Sequence, residues 1–404
     1  MTIKPLARPT ARVLLDASNL AVGGGVQVAA SLVDELWRLR QDHEITTSHP
    51  WLSQLTCHLS PEVNENRTMS GADPAIHVTS KRWSQPSIWL PQHGHEYDLQ
   101  VTVFGPRYGR RLAPITVTGI ADVTSVYSWP AGVPAGGSAA RLRRALRGLA
   151  VRRLFGRESF LVSESQALLN VFHARTGFDL GKTQVIPNVV NRAVVEPGLR
   201  APLGVTLKSV VDDGTRLLAY VARLYPHKNH AILPKVRTEL LKLGMDVKFV
   251  VTLTDSEWAA VSAELRESCI NVGVIPVTQV ADLNLQCDAV IFPSLLESFS
   301  ATPIEALITN GLLFASDRPF VRDVCGDAAV YFDPLDPSQC ARAVFDVLTD
   351  GERCAQLRQR TGKLTANSGT ARDRATAYVE LVSRLLCDAR RNREQGRRGL
   401  WSSE

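Results

Sequence analysis

The 404-residue sequence predicts two α/β domains built on parallel sheets, and three observations lead there. Strand-like apolar runs alternate with helical patterns along most of the chain, which is the mark of parallel α/β layering. At roughly 150 residues per domain, a chain of this length forms two domains, three at most. A polar, proline-bearing stretch from Asn191 to Asp213 interrupts the alternation and reads as a linker. The expected division is a first domain over 1–190, a second over 191–370 and a last helical stretch over 371–404.

The first domain opens with the apolar run Arg12 to Asp16 as a strand, then a loop holding Gly23, Gly24 and Gly25, then a helix from Val26 to about Arg40. Further strands are expected at Leu99 to Phe104, Ile115 to Thr118, Ser159 to Val162 and Thr183 to Ile186. Pro130, Gly132, Pro134, Gly136 and Gly137 form a loop in front of an arginine-rich helix. The second domain begins with Arg216 to Ala222 as a strand. A helix over Asn229 to Leu243, strands at Val247 to Thr252 and Ala289 to Phe292, and helices from Pro303 to Asn310 and Pro337 to Leu348 follow. The last helix is expected over about Ala371 to Arg393.

With 45% hydrophobic and 21% charged residues the composition is that of a globular protein, which excludes wholesale disorder and fibrous repeats. No run approaches the roughly 18 apolar residues of a membrane span, and the start, MTIKPLARPTARVLLD, lacks a signal peptide's apolar core. A cytoplasmic location is expected. Seven cysteines without a C-x-x-C pair indicate neither a disulfide framework nor a zinc site. They read as reduced packing residues.

The net charge of +6 is unevenly spread. No acidic residue lies between Asp122 and Glu158, where Arg141, Arg143, Arg144, Arg147, Arg152, Arg153 and Arg157 all fall. Leu142, Leu146, Leu149 and Leu154 recur among them near helical spacing, so the segment reads as a basic amphipathic helix. A solvated face is one reading. Attraction to anionic lipid head groups is the other, each cation adding roughly 1 kcal/mol near the surface. Nucleic acid fits less well, because Phe155 is the one aromatic residue among the arginines.

Three segments hold residues suited to chemistry. Gly24 and Gly25 let the backbone approach a ligand where the following helix offers free N–H groups to an anion, although a tight turn explains them equally. They do not form G-x-G-x-x-G, so a dinucleotide site fits poorly. Arg223 and Lys228 lie at the exit of the second domain's first strand, where open α/β sheets bind ligands, and two cations there suit a diphosphate. In Pro293 to Ala306 a strand gives way to a loop and then a helix for which Pro303 suits the first turn. Glu297 stands on that loop, and Glu305, eight residues later, is expected in the first turn of the helix.

Glu297 and Glu305 match the E-x7-E motif of retaining GT-B enzymes of glycosyltransferase family 4 (glycosyl transferases group 1), and the segment from Ala222 to Asn229 resembles that family's diphosphate-binding segment. Val162 to Ser165 and Val185 to Asn188 look like two further motifs of the family, so the resemblance covers most of the chain. It implies two Rossmann-like α/β/α domains facing each other across a cleft, with the last helix crossing back to the first domain. It also implies transfer of a sugar from a nucleotide diphosphate sugar to an acceptor hydroxyl, without a metal or other cofactor. In such enzymes the cations at Arg223 and Lys228 bind the donor diphosphate and Glu305 the ribose. Glu297, with Ser298, Phe299, Ser300 and Ala301, holds the transferred sugar and phosphate, while Gly24 and Gly25 close over the diphosphate. The acceptor would be a glycan on a lipid, as in cell-surface polysaccharide or lipopolysaccharide assembly, with the enzyme peripheral on the inner face of the membrane.

The chain departs from the family pattern in two places. Ser300, Ala301 and Thr302 replace the usual glycine and its neighbours, which gives the sugar pocket a different shape. Asp122 aligns with the aspartate of a usual His-Asp pair, but Ala121 stands where the histidine is expected. Asp122 remains a candidate to orient the acceptor hydroxyl or take its proton. A nucleotide-sugar epimerase and a catalytically silent GT-B scaffold stay open as alternatives. His93, His95 and Glu96 form a cluster that the resemblance argues against reading as a metal site.

Overall fold

The computed structural model describes residues 10–21, 23–69, 71, 73–79, 96–107, 111–121, 126, 137–365 and 369–399. The chain divides into two compact units. One holds Met1–Asp122, Arg147–Pro187 and Ala371–Glu404, the other Val123–Leu146 and Asn188–Thr370. Of the stretch that the sequence places in the first domain, the described residues 126 and 137–146 group with the second unit. The helix Ser138–Phe155 buries only Gly148, Val151 and Phe155, all in its second half, so little ties its first half to the first core.

In the first unit the strands are β1 (Val13–Ala17), β2 (Leu55–Leu59), β3 (Ile76–Val78), β4 (Leu99–Thr102), β5 (Ile115–Ile120), β6 (Phe160–Ser163) and β7 (Thr183–Val185). They lie in the order β3-β2-β1-β4-β5-β6-β7, every pairing parallel, with Val13 opposite both Leu55 and Leu99. All five residues of β1 are buried, as expected of a strand covered on both faces, which is why it reads as one apolar run. Gly119 on β5 is required by close backbone approach: a Cβ there would lie 1.9 Å from the Val103 carbonyl oxygen.

The helix Ala371–Gly399 packs into this unit. Ala375, Tyr378, Val379, Leu381, Val382 and Leu386 join the core beneath the helix Gly24–Gln41. Polar contacts fix its register: Ser383 Oγ accepts from Trp51 Nε1 at 2.8 Å, and the buried Arg374 donates to the Val28 carbonyl at 3.1 Å.

The second unit repeats the plan with β8 (Arg216–Tyr220), β9 (Val247–Val251), β10 (Cys269–Asn271), β11 (Ala289–Phe292), β12 (Leu313–Ser316) and β13 (Val330–Phe332). The order is β10-β9-β8-β11-β12-β13, again all parallel. In both sheets the first and fourth strands are neighbours, and the chain winds outward on either side of them. The doubly wound sheet therefore has its topological switch point between β1 and β4 in one unit and between β8 and β11 in the other. The core of the second unit runs from Leu217 and Leu218 through Phe249, Phe292 and Phe314 to Val344 and Val347. Cys57, Cys269, Cys287, Cys325 and Cys340 are buried packing residues, and Cys387 is exposed.

Candidate functional site

The strongest constellation stands at the switch point of the second sheet. β8 ends at Tyr220 and its exit loop carries Arg223 and Lys228; β11 ends at Phe292 and its exit loop carries Glu297. Four hydrogen bonds fix these loops, two of them, from Leu295 N and from Asn229 Nδ2 to Pro293, joining one to the other. Leu295 N donates to the His227 carbonyl at 2.7 Å. Asn229 Nδ2 donates to the Pro293 and Pro334 carbonyls at 3.2 and 2.8 Å, and the Tyr220 hydroxyl to the Lys228 carbonyl at 2.6 Å. Asn229 adopts the left-handed conformation, φ 60°, which asparagine tolerates better than most residues and which turns the chain after the short 3-10 helix Pro226–Lys228.

This framework brings Lys228 and Glu297 together. Lys228 Nζ lies 2.5 Å from Glu297 Oε1, with the two side chains 15% and 11% exposed. The buried Ser294 hydroxyl donates to the same carboxylate oxygen at 2.7 Å, and the ammonium sits 5.8 Å from the Phe292 ring centroid. Arg223 has a different partner. Its Nε donates to both Glu257 oxygens, at 2.9 and 3.1 Å. Glu257 also accepts from the Leu224 and Thr254 amides and closes a capping box with Thr254 at the start of the helix Asp255–Ala260. Burial alone would raise the Glu257 pKa, but the Thr254 amide, the Arg223 guanidinium and the Leu224 amide outweigh it and hold the carboxyl at about 2. Only Nε of Arg223 is engaged among the described residues, so the forked end of a side chain 42% exposed remains available to a ligand.

Glu257 and His230 join the site without standing out in the sequence. Glu257 leaves no sequence signal, since only the fold brings it to Arg223, 34 residues away. His230 is 3% exposed, and its ring centroid lies 4.7 Å from that of Tyr220. Burial first, then the Lys228 charge, pushes its pKa to about 4, so the ring is neutral at pH 7.

The helix that follows Glu297 begins two residues before the expected start, spanning Ala301–Thr309 with Ser300 as N-cap. Pro303 is therefore its third residue and Glu305 its fifth, two residues deeper than predicted and in the second turn, and no acidic residue offsets the dipole in the first turn. Its first amides have no acceptor within the helix, which is the usual basis of anion binding at a helix start. Glu305 is buried, and its carboxyl makes no hydrogen bond among the described residues; burial raises its pKa to about 7. Ser298, Phe299 and Ser300 are half-buried, Phe299 packing beside Ile304 and Val280.

Gly24 and Gly25 belong to the first unit. They are the first two residues of the helix Gly24–Gln41, which begins earlier than predicted, behind Gly23 at φ 77°. Gly24 is exposed, and a Cβ on Gly25 would lie 3.4 Å from Phe104 on the loop after β4, so these residues stand at the first sheet's own switch point. Asp122, His93 and His95 lie outside the described residues. Among the described residues no group of three or more His, Cys, Asp or Glu side chains could hold a metal ion. No described helix is long and apolar enough to cross a membrane. A pocket of about 430 Å³ lined by Ser209, Asp212, Thr215, Asp246 and Lys248 lies at the amino ends of β8 and β9, the opposite end of the sheet from Lys228.

Residues 207–364, which include Arg223, Lys228, Glu297 and Glu305, match the family described as Glycosyl transferases group 1. The phosphatidylinositol N-acetylglucosaminyltransferase GPI3 subunit of Saccharomyces cerevisiae is 26% identical over 165 residues, 39% of this chain and 36% of the yeast protein, so the match spans about a third of that relative's length. Among solved structures, Anabaena HepE in complex with UDP and glucose superposes with a TM-score of 0.63 at 16% identity, covering 92% of this chain and 99% of that one. WaaG, a glycosyltransferase involved in lipopolysaccharide biosynthesis, gives 0.61 at 12% identity over 91% and 99%. The chain thus has the GT-B fold, with residues 207–364 matching the glycosyl transferases group 1 family.

Proposed function

We propose that the protein is a retaining glycosyltransferase that moves a sugar from a nucleotide diphosphate sugar to an acceptor hydroxyl. The observation that carries this reading is the meeting of Lys228 and Glu297 across the switch point of the second sheet, the place where open α/β sheets take their ligands. Lys228, the forked end of Arg223 and the first amides of the helix Ala301–Thr309 supply positive charge for a diphosphate. Glu305, buried and without a hydrogen-bonding partner among the described residues, would accept from the ribose hydroxyls. Glu297 would share Lys228 with the transferred sugar and its phosphate.

Catalysis then rests on stabilising charge as it develops on the departing β-phosphate. Lys228 is held in place by Glu297 and Arg223 by Glu257, so neither cation has to reorganise far as the sugar–oxygen bond breaks. These side chains and helix amides would neutralise the leaving diphosphate in place of a bound cation. Gly24 and Gly25 would contact the diphosphate, and Asp122 would orient the acceptor. HepE was solved with UDP and glucose, which makes UDP-sugars the first donors to test.

The acceptor we propose is a lipid-linked glycan met at the cytoplasmic membrane face, with the arginines from Arg141 to Arg157 drawn to anionic head groups, as suits cell-surface polysaccharide assembly. Incubation with UDP-, GDP- and dTDP-sugars tests the activity. Nucleotide release with slow hydrolysis supports the transferase, an isomerised donor would make it an epimerase, and binding without turnover in the presence of a working acceptor would make it a scaffold.

A further inference from the structure

The helix Ser138–Phe155 turns its leucines outward. Its buried stripe is Gly148, Val151 and Phe155, with Phe155 packed edge-on against Phe172 at 5.9 Å. Leu142, Leu146 and Leu149, spaced i, i+4 and i+7 on one face, are 62%, 59% and 42% exposed. They lie within about 60° of one another around the helix axis and span about 10 Å along it. Ala139, Ala145 and Ala150 complete the exposed apolar strip. Arg141 and Arg152 border it on one side, Arg143 and Arg147 on the other, and the exposed Arg153 continues its line. No acidic residue occurs in the helix.

A leucine stripe edged by arginines and free of carboxylates matches the polar–apolar boundary of an anionic bilayer: guanidinium groups at the phosphates, leucines in the outermost acyl layer. A protein partner would need an apolar groove ringed by acidic residues; the uniform positive charge favours the lipid. We propose that Ser138–Phe155 lies in the plane of an anionic membrane and inserts Leu142, Leu146 and Leu149 below the head groups. This rests on the proposed approach to anionic lipid and adds to it an apolar term that salt does not screen.

Vesicle sedimentation of the full chain tests it. Wild type should bind vesicles containing phosphatidylglycerol, ignore pure phosphatidylcholine, and keep a bound fraction in about 1 M salt, where charge is screened beyond about 3 Å. The variant L142Q/L146Q/L149Q keeps every arginine and a helix-compatible sequence; its partition coefficient should fall roughly tenfold per leucine. R143Q/R153Q should lose mainly the salt-sensitive part. Unchanged UDP binding and circular dichroism show that each variant is folded. Equal binding by wild type and the leucine variant would overturn insertion while leaving head-group attraction intact. Failure of wild type to bind anionic vesicles, or leucine-dependent self-association in sedimentation velocity in place of vesicle binding, would overturn both.

Discussion

Glu305 combines a cost in stability with a role in binding, and replacing it by glutamine separates the two. Burial raises its pKa from 4.5 to about 7, so the folded chain holds a proton that the unfolded chain releases near 4.5. The sign follows from linkage: between pH 4.5 and 7 the folded state binds more protons, and stability falls as pH rises. At about 1.4 kcal/mol per pH unit, the ionised carboxyl costs the second unit about 3 kcal/mol above pH 7. Glu305→Gln has no charge to desolvate. It should match wild type near pH 4.5 and be more stable at pH 8 by up to that amount, while binding UDP about tenfold more weakly for want of a charge-assisted acceptor. Denaturant unfolding of the full chain at several pH values, following the transition that UDP shifts, reads the first effect, and calorimetric titration reads the second. A variant less stable than wild type at pH 8, with unaltered UDP affinity, would refute the assignment of Glu305 as an unpartnered buried acid held for the ligand.

Other consequences are open to direct test. Wild-type affinity for UDP should decline as pH falls below about 7, where Glu305 takes up its proton, and Glu305→Gln should flatten that profile in calorimetry. Glu257→Gln should raise the KM for the donor roughly tenfold with a smaller change in kcat, since Arg223 loses its orienting charge but stays in place. Steady-state kinetics would show it. The same glutamate, held at about 2 in the fold against 4.5 unfolded, lends stability that is present above pH 4.5 and is lost as pH falls toward 2. Gly119→Ala would force a Cβ against the Val103 carbonyl, at 1.9 Å, and should destabilise the first unit by about 3 kcal/mol or more, seen as a lowered Tm with UDP binding retained.

The sheet strands at the two switch points were legible in the sequence because strands buried on both faces leave unbroken apolar runs: Arg12 to Asp16, Arg216 to Ala222, Ala289 to Phe292. The strands Leu55–Leu59, Ile76–Val78, Cys269–Asn271, Leu313–Ser316 and Val330–Phe332 are not evident in the sequence: Thr56, His58 and Asn271 interrupt the apolar pattern of two, and the other three are only three or four residues long. Pro303 suggested a helix start, but the helix begins at Ala301 because a proline at the third position removes an amide that has no partner there anyway. That shift of two residues places Glu305 in the second turn, where burial raises its pKa. Arg223 and Lys228 were legible as cations at a strand exit. Their glutamates were only half so: Glu297 carries the motif spacing, whereas Glu257 reaches Arg223 through tertiary structure alone. Helical spacing predicted the basic helix but not its rotation, which Gly148, Val151 and Phe155 set by packing inward and leaving the leucines outside.

Calorimetric titration of UDP, GDP and dTDP into wild type and Lys228→Gln asks most directly whether cations at the second sheet's switch point grip a pyrophosphate. The account predicts that at least one of these nucleotides binds wild type, that the corresponding nucleoside binds far less, and that the substitution weakens the nucleotide by tenfold or more, about 1.4 kcal/mol. Equal affinity of a folded Lys228→Gln protein for the nucleotide, or no binding of any of the three to wild type, would contradict it.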